Sequence, residues 1–300
     1  MLREMEEIRF ACTACGKCCT EPPEMTVLEA VRLGDVFVPA LVYRLTSLPR
    51  DDNEAAFASL TPHPHFKDVE GRDLVARLKE STAVRSAGAV VSEAGWDHHV
   101  GITARAWGYS PGCPALHGKE CSIHTRRPHT CRTVPIRYDV PAGLLVRAFR
   151  GAVDAGRASK DPWECDVSEN AGVLLRDGAV IDSDYAKARE AGEAAALAER
   201  SLAEKILAYP LLPPLREIYP QLRRSKVIAI SFHGALAAAH DLGIVDDATM
   251  KTFLAAQLEL LDREITAALA RKRKEDRDTT TRFRTLRDAY ASMQKTLSAI

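Results

Sequence analysis

Four cysteines crowd into the run Cys12-x-x-Cys15-x-x-Cys18-Cys19 near the start of this chain. Two cysteines separated by two residues can face one metal ion through a tight turn, and that spacing occurs twice in succession. Gly16 supplies local backbone freedom after the first pair. Cys12, Cys15 and Cys18 can therefore deliver three thiolates to a single centre. Ferredoxin-like sites use the same two steps and draw a remote fourth cysteine, often followed by proline, a place that Cys113-Pro114 fits. Cys19 breaks the ferredoxin pattern. Neighbouring side chains usually point apart, so Cys18 and Cys19 are better divided between two centres.

The other four cysteines are Cys113, Cys121, Cys131 and Cys165, and all eight precede residue 166. Eight thiolates would fill two tetrathiolate sites. The expected metal ligands are thus Cys12, Cys15, Cys18, Cys19, Cys113, Cys121, Cys131 and Cys165. Four thiolates suit zinc and iron–sulfur clusters alike, so ligand type leaves the metal open. Lys17, Arg126, Arg127 and Arg132 stand beside these positions and could offset thiolate charge by N–H contacts to sulfur. His117, His124 and His129 lie between the later cysteines and suit supporting hydrogen bonds. His63, His65, His98 and His99 read as exposed, and His233 and His240 as structural.

The segments Phe10-Ala-Cys-Thr-Ala-Cys-Gly-Lys-Cys-Cys19, Cys113-Pro-Ala-Leu, Cys121-Ser-Ile-His124 and Arg127-Pro-x-x-Cys131-Arg132 resemble the CxxCxxCC cysteine-cluster family, the YkgJ-like proteins. The resemblance covers about residues 10–170. Members are described as zinc- or iron-chelating, and a related branch is a flagellin lysine N-methylase with an iron–sulfur cluster. The resemblance implies that the eight cysteines are ligands. Cys165 matches less closely, because Asp166 stands where the family often has proline, and His124 takes a place often held by tyrosine.

The elements that must position these residues fall into two parts. The chain has 300 residues, 46% of them apolar and 27% charged, ordinary for a globular protein with one large or two smaller domains. After residue 182 cysteine disappears and Ala, Leu, Glu, Arg and Lys dominate. The expected fold is α+β: a Cys-rich metal-binding domain of short strands and helices over 1–182, then an all-helical region over 183–300. Thr26 and Glu29 form a capping box ahead of an apolar stretch to Leu45, which predicts a helix that Pro39 kinks or interrupts. Residues 49–68 read as loop and 70–85 as helix. His98–Tyr109, Leu144–Phe149 and Val173–Ile181 read as strand, the last turning at 176–178, and Gly118-Lys-Glu as a hairpin tip.

Beyond the boundary, Tyr185–Tyr209 reads as one helix stopped by Pro210. Asp247 can cap a helix that puts Met250, Phe253, Leu254, Leu258, Leu261, Ile265 and Leu269 on one face. Phe283, Leu286, Tyr290, Met293, Leu297 and Ile300 form a heptad stripe, expected to pack back as an antiparallel hairpin.

Lys plus Arg equals Asp plus Glu at 41 each, so no global field draws the chain to nucleic acid. The charged N-terminus is no secretory signal and no stretch is apolar enough for a bilayer, which points to the cytoplasm and reduced thiols. There is no G-x-x-x-x-G-K or G-x-G-x-x-G loop. A thioredoxin-like role for Cys12 and Cys15 is disfavoured by Cys18-Cys19. The expected function is metal binding, with an iron–sulfur cluster or zinc as cofactor and the helical half as scaffold or protein-partner surface. The alternative is an iron–sulfur-dependent protein lysine N-methyltransferase using S-adenosylmethionine; a metal chaperone or store is a third reading.

Overall fold

The computed structural model describes residues 6–19, 21–50, 76, 79, 82, 88–109, 112–160 and 162–299. A mixed β/α region comes first and a more helical one follows. The chain opens with β1 (Glu7–Arg9), β2 (Glu24–Met25) and α1 (Val27–Arg32). Thr26 caps α1 with the expected box: its hydroxyl accepts from the Glu29 amide while the Glu29 carboxylate accepts from the Thr26 amide.

The apolar stretch beyond α1 does not continue the helix. It forms β3 (Val38–Pro49), a correction with a clear cause. The strand is central, paired along one edge with β10 (Val227–Ser231) and along the other with β5 (Trp96–Trp107). Both faces are covered, so nearly every residue from Val38 to Tyr43 is buried and the alternation that marks a strand is erased. Pro39 is tolerated because β10 begins pairing only at Ala40. On the far side of β5 lie β2 and β4 (Gly88–Glu93). β5 alternates cleanly between buried and half-buried residues, which is why its strand character is readable.

The small hairpin β6 (Leu116–His117) and β7 (Glu120–Cys121) turns at Gly118 as expected. α2 (His129–Arg132) follows, then α3 (Leu145–Arg157) in place of the strand expected at Leu144–Phe149. Leu145, Ala148, Phe149 and Val153 are buried at helical spacing, a period longer than the window in which the strand was read. β8 (Val173–Arg176) and β9 (Ala179–Val180) form the expected hairpin, with Asp177 and Gly178 both at positive φ. β1 joins its edge, and a second small core of Ile8, Ile136, Leu145, Phe149 and Leu175 closes beneath it.

The helix expected over 185–209 is two, α4 (Ser183–Ala198) and α5 (Arg200–Leu207). α6 (Leu215–Ser225) leads into β10, so the later region is not all-helical. α7 (His233–Asp241), α8 (Asp247–Arg271) and α9 (Arg277–Ser298) complete it. α8 is capped by Asp246, not Asp247, and Leu269 is exposed. α8 and α9 pack as the expected hairpin, with Phe283, Leu286 and Tyr290 buried. The main core draws on both sides of residue 182: Leu41 and Tyr43 share it with Phe232, Phe253 and Tyr290. The approach is close at Gly34, where a Cβ would lie 2.4 Å from Phe253. The expectations for 49–68 and 70–85 fall almost wholly outside the described residues, among which Ala76, Lys79 and Thr82 are helical.

Candidate functional site

Backbone pairing decides where the cysteines go. Ala11 and Asp166 exchange amide hydrogen bonds of 2.8 and 3.1 Å, an antiparallel bridge that sets Cys12 beside Cys165. The Thr13 hydroxyl donates to the Glu164 carbonyl at 3.1 Å, and Lys17 pairs with the Glu164 carboxylate at 2.6 Å. Lys17–Cys19 then form one 3-10 turn, its last amide donating to the Gly16 carbonyl. The Cys113 amide donates to the Cys19 carbonyl at 3.1 Å, which holds these two backbones side by side. Leu116 pairs with Cys121 across the β6–β7 hairpin.

Cys131 arrives on α2, which is tied down at its start. Its first amide, at His129, donates to the Glu29 carboxylate at 2.8 Å, and the Thr130 hydroxyl to the Glu24 carbonyl at 2.6 Å. The loop after α2 is held from α4: the Tyr185 hydroxyl donates to the Ile136 carbonyl at 2.5 Å and Arg189 to the Val140 carbonyl at 2.8 Å.

The result is a cleft of about 1130 Å³ lined by all eight cysteines, each a free thiol. The thiols act on one another in two neighbourhoods. Cys18 feels Cys12 and Cys165, and Cys165 feels Cys12 and Cys15; Cys113 feels Cys19 and Cys121, and Cys131 feels Cys113 and Cys19. The adjacent pair Cys18-Cys19 joins the two sets. Gly16 lets the first run lie against the hairpin: its φ is +73°, and a Cβ there would come within 3.0 Å of the Lys119 carbonyl and the Leu116 methyl. We expect Gly16→Ala to lower stability by about 1–2 kcal/mol in urea unfolding and to speed alkylation of Cys121. Unchanged stability and labelling would show that the run does not depend on this contact.

Sulfur chemistry differs sharply along the cleft. Cys19 is drawn down to about 7 by the hydrogen bond from the Cys18 thiol, against burial and with help from the Arg127 charge. The same bond, with burial and neighbouring thiolates, holds Cys18 strongly protonated. Burial pushes Cys131 up to about 12 and Cys165 up to about 11. Burial also opposes ionisation of Cys15, but the amide N–H groups of Lys17 and Glu164 lead the groups that outweigh it, and the net shift is down.

The expected zinc or iron–sulfur ligation by Cys12, Cys15, Cys18, Cys19, Cys113, Cys121, Cys131 and Cys165 is corrected by this geometry. Among the described residues, no group of three or more His, Cys, Asp or Glu side chains is placed to hold a metal ion. The thiols are distributed around a wide cleft instead of gathered at a point, and Cys18 spends its proton on Cys19. Metal ion or cluster as partner falls with the same finding, as does an iron–sulfur-dependent methyltransferase. No family model matches the chain, and no curated protein or solved structure does either. The likeness to the CxxCxxCC family is therefore corrected too: it rests on cysteine spacing that neither a family match nor a metal-holding arrangement supports.

The basic residues expected to face sulfur divide. Lys17 pairs with Glu164, and Arg126 pairs with Asp35 through two contacts of 3.0 and 2.5 Å. Arg127 acts on Cys19 and Cys131, while Arg132 donates to the carbonyls of Arg127 and Thr125 at 2.8 and 3.2 Å. Of the histidines between cysteines, His124 lines the cleft and His129 is anchored to Glu29. His98 bonds Ser47 and His233 bonds Ser231, both structural contacts. Sequence reading missed the cleft wall supplied by α4 through Tyr185 and Ala188. Nothing local marks them. Among the described residues no helix is long and apolar enough to cross a membrane.

Proposed function

We propose that the cleft is a thiol–disulfide exchange site with Cys19 as its nucleophile. The observation that carries this reading is the placement of Cys19 on the cleft wall: it ends the 3-10 turn, its carbonyl accepts the Cys113 amide at 3.1 Å, and its sulfur lies in the field of Arg127. A thiolate is the reactive form of cysteine, and one with a pKa near ambient pH balances population against intrinsic nucleophilicity. In the first step the Cys19 thiolate attacks one sulfur of a small disulfide R–S–S–R. A mixed disulfide forms and RS⁻ leaves. Cys113 loses its proton to solvent and attacks the Cys19 sulfur, which forms the Cys19–Cys113 bond and expels the second RS⁻. The substrate disulfide gains two electrons and the two protein thiols lose them; an external dithiol restores the reduced protein.

In this reading residues 1–182 carry the chemistry and 183–300 brace it, with α4 closing one wall. A reducing compartment such as the cytoplasm would keep the thiols free between turnovers. The test is reaction with a neutral pyridyl disulfide from pH 5 to 9, followed by peptide mapping. The expected outcome is one fast thiol, Cys19, titrating near pH 7, with two leaving thiols released and a Cys19–Cys113 link. A fast phase titrating near 9, or thiols that stay masked until a tightly held ion is stripped from the purified protein, would overturn it.

A further inference from the structure

The charges that line the cleft are not balanced. Three of the four carboxylates that line it are paired with cations, and the fourth, Asp182, is held at the start of α4. Glu21 pairs with Arg105 at 2.9 Å, Glu24 with Arg44 and Arg137, and Asp184 with Lys187 at 3.8 Å; Asp182 caps α4 through the Tyr185 amide. The cations near Cys19 and Cys131 are different. Arg127 donates to the His124 carbonyl at 3.0 Å, and Arg132 donates to two further carbonyls. A neutral carbonyl fixes a guanidinium in place but leaves its charge uncompensated. Lys119 stands exposed in the turn of the β6–β7 hairpin and also lines the cleft. Arg127 acts on both Cys19 and Cys131, and Arg132 and Lys119 line the same cleft, so three lining cations have no carboxylate partner among the described lining residues. The apolar walls of the same cleft keep solvent screening down.

We propose that the cleft selects anionic ligands, and that the sulfur compound delivered to Cys19 is a small disulfide bearing carboxylates. This rests on the exchange reading above and names its substrate class. Arg127 and Arg132 are the groups positioned for bidentate carboxylate contacts, and Lys119 adds a point charge at the entrance. The Arg132 guanidinium keeps part of its donor fork for a ligand, because its two carbonyl bonds use two of five N–H groups.

The test compares three disulfides on the full chain: one dianionic, one neutral and one dicationic. Each rate at Cys19 is divided by that compound's rate with a free small thiol, which removes its intrinsic reactivity. The expected preference for the dianion over the neutral compound is at least about tenfold at low salt, shrinking as salt rises. Lys119→Gln combined with Arg132→Gln should abolish most of that preference, read as the ratio of the two normalised rates so that any common change in reactivity cancels. Arg132→Lys, which keeps the charge and loses the fork, should retain a partial preference and guards against a simple folding defect. Equal normalised rates for anion and neutral compound, or a preference that survives the double variant, would overturn the proposal while leaving exchange at Cys19 intact. Failure of the neutral compound to react at Cys19 at all would instead remove the exchange reading and this inference with it.

Discussion

Cys19→Ser should remove the fast thiol of this protein, and the loss should be largest below neutral pH. At pH 6 a thiol drawn down to about 7 is roughly a tenth ionised, whereas one at the ordinary 9.0 is ionised to about a thousandth. Intrinsic nucleophilicity falls as pKa falls, which returns about a factor of ten of that advantage. A net difference of about tenfold remains. Cys131 and Cys165, pushed up to about 12 and 11, and Cys18, held protonated, do not compensate, and Cys15, whose shift is also down, is told apart by peptide mapping. Cys18→Ala is the informative companion. It removes the hydrogen bond that chiefly lowers Cys19, so the pH midpoint of the remaining fast phase should rise while the labelled residue stays the same. A Cys19→Ser protein that reacts at the parent's rate at pH 6 would remove the assignment.

The second large effect is on stability and is centred on Glu199. This carboxylate sits at the junction of α4 and α5, is almost wholly buried, and accepts the Val27 and Leu28 amides at 2.7 and 2.6 Å. Those amides are the first of α1 and have no partner within their own helix. Glu199→Ala leaves both without an acceptor and should cost about 2–4 kcal/mol. It should also expose Cys131 to alkylation, because Glu29 joins α1 to the start of α2. Burial, backed by the Glu29 charge, raises Glu199 to about 7 in spite of the amide bonds. A folded pKa above the ordinary 4.5 gives a stability contribution that is complete below about 4.5 and lost as pH rises through about 7. From this group alone the protein should be less stable at pH 8 than at pH 4.5 by on the order of 3 kcal/mol. The half-buried imidazole of His129 is held below its ordinary value by desolvation and works in the opposite direction, so the quantity to measure is the difference between parent and Glu199→Gln. Urea unfolding at several pH values should show a flatter dependence in the variant. Parallel curves would mean that Glu199 does not titrate in this range.

Much of the architecture could be read from local pattern. The Thr26–Glu29 box, the strand around Val100–Ala106, both short hairpins and the α8–α9 stripe all carry period or turn chemistry that survives into the structure. Two of the misreadings share a non-local cause. β3 is buried on both faces, so its apolar run has neither period, and only pairing with β10 and β5 separates strand from helix. The break at Glu199 is equally non-local, because the residue that interrupts an Ala-rich helix is recruited to cap a helix 171 residues earlier. At the site, the eight cysteines are evident in the sequence, but their spacing points to metal centres, whereas the structure sets them along the wall of a cleft. Whether thiols share one point or line a wall depends on hydrogen bonds such as that between Cys113 and Cys19, which no spacing encodes.

The pairing of β10 with β3 bears on how the molecule is made. A nascent chain emerges from its first residue, so the Cys12–Cys19 run and β3 appear long before Val227–Ser231 can arrive. Until then the Ala40–Arg44 edge of β3 lacks its strand and α1 lacks the Glu199 carboxylate. Four thiols and an open sheet edge therefore share an interval of synthesis in which neither is protected. The ribosome thus delivers the thiol-bearing run first and the strand that closes β3 last, an order imposed by the β10–β3 pairing alone.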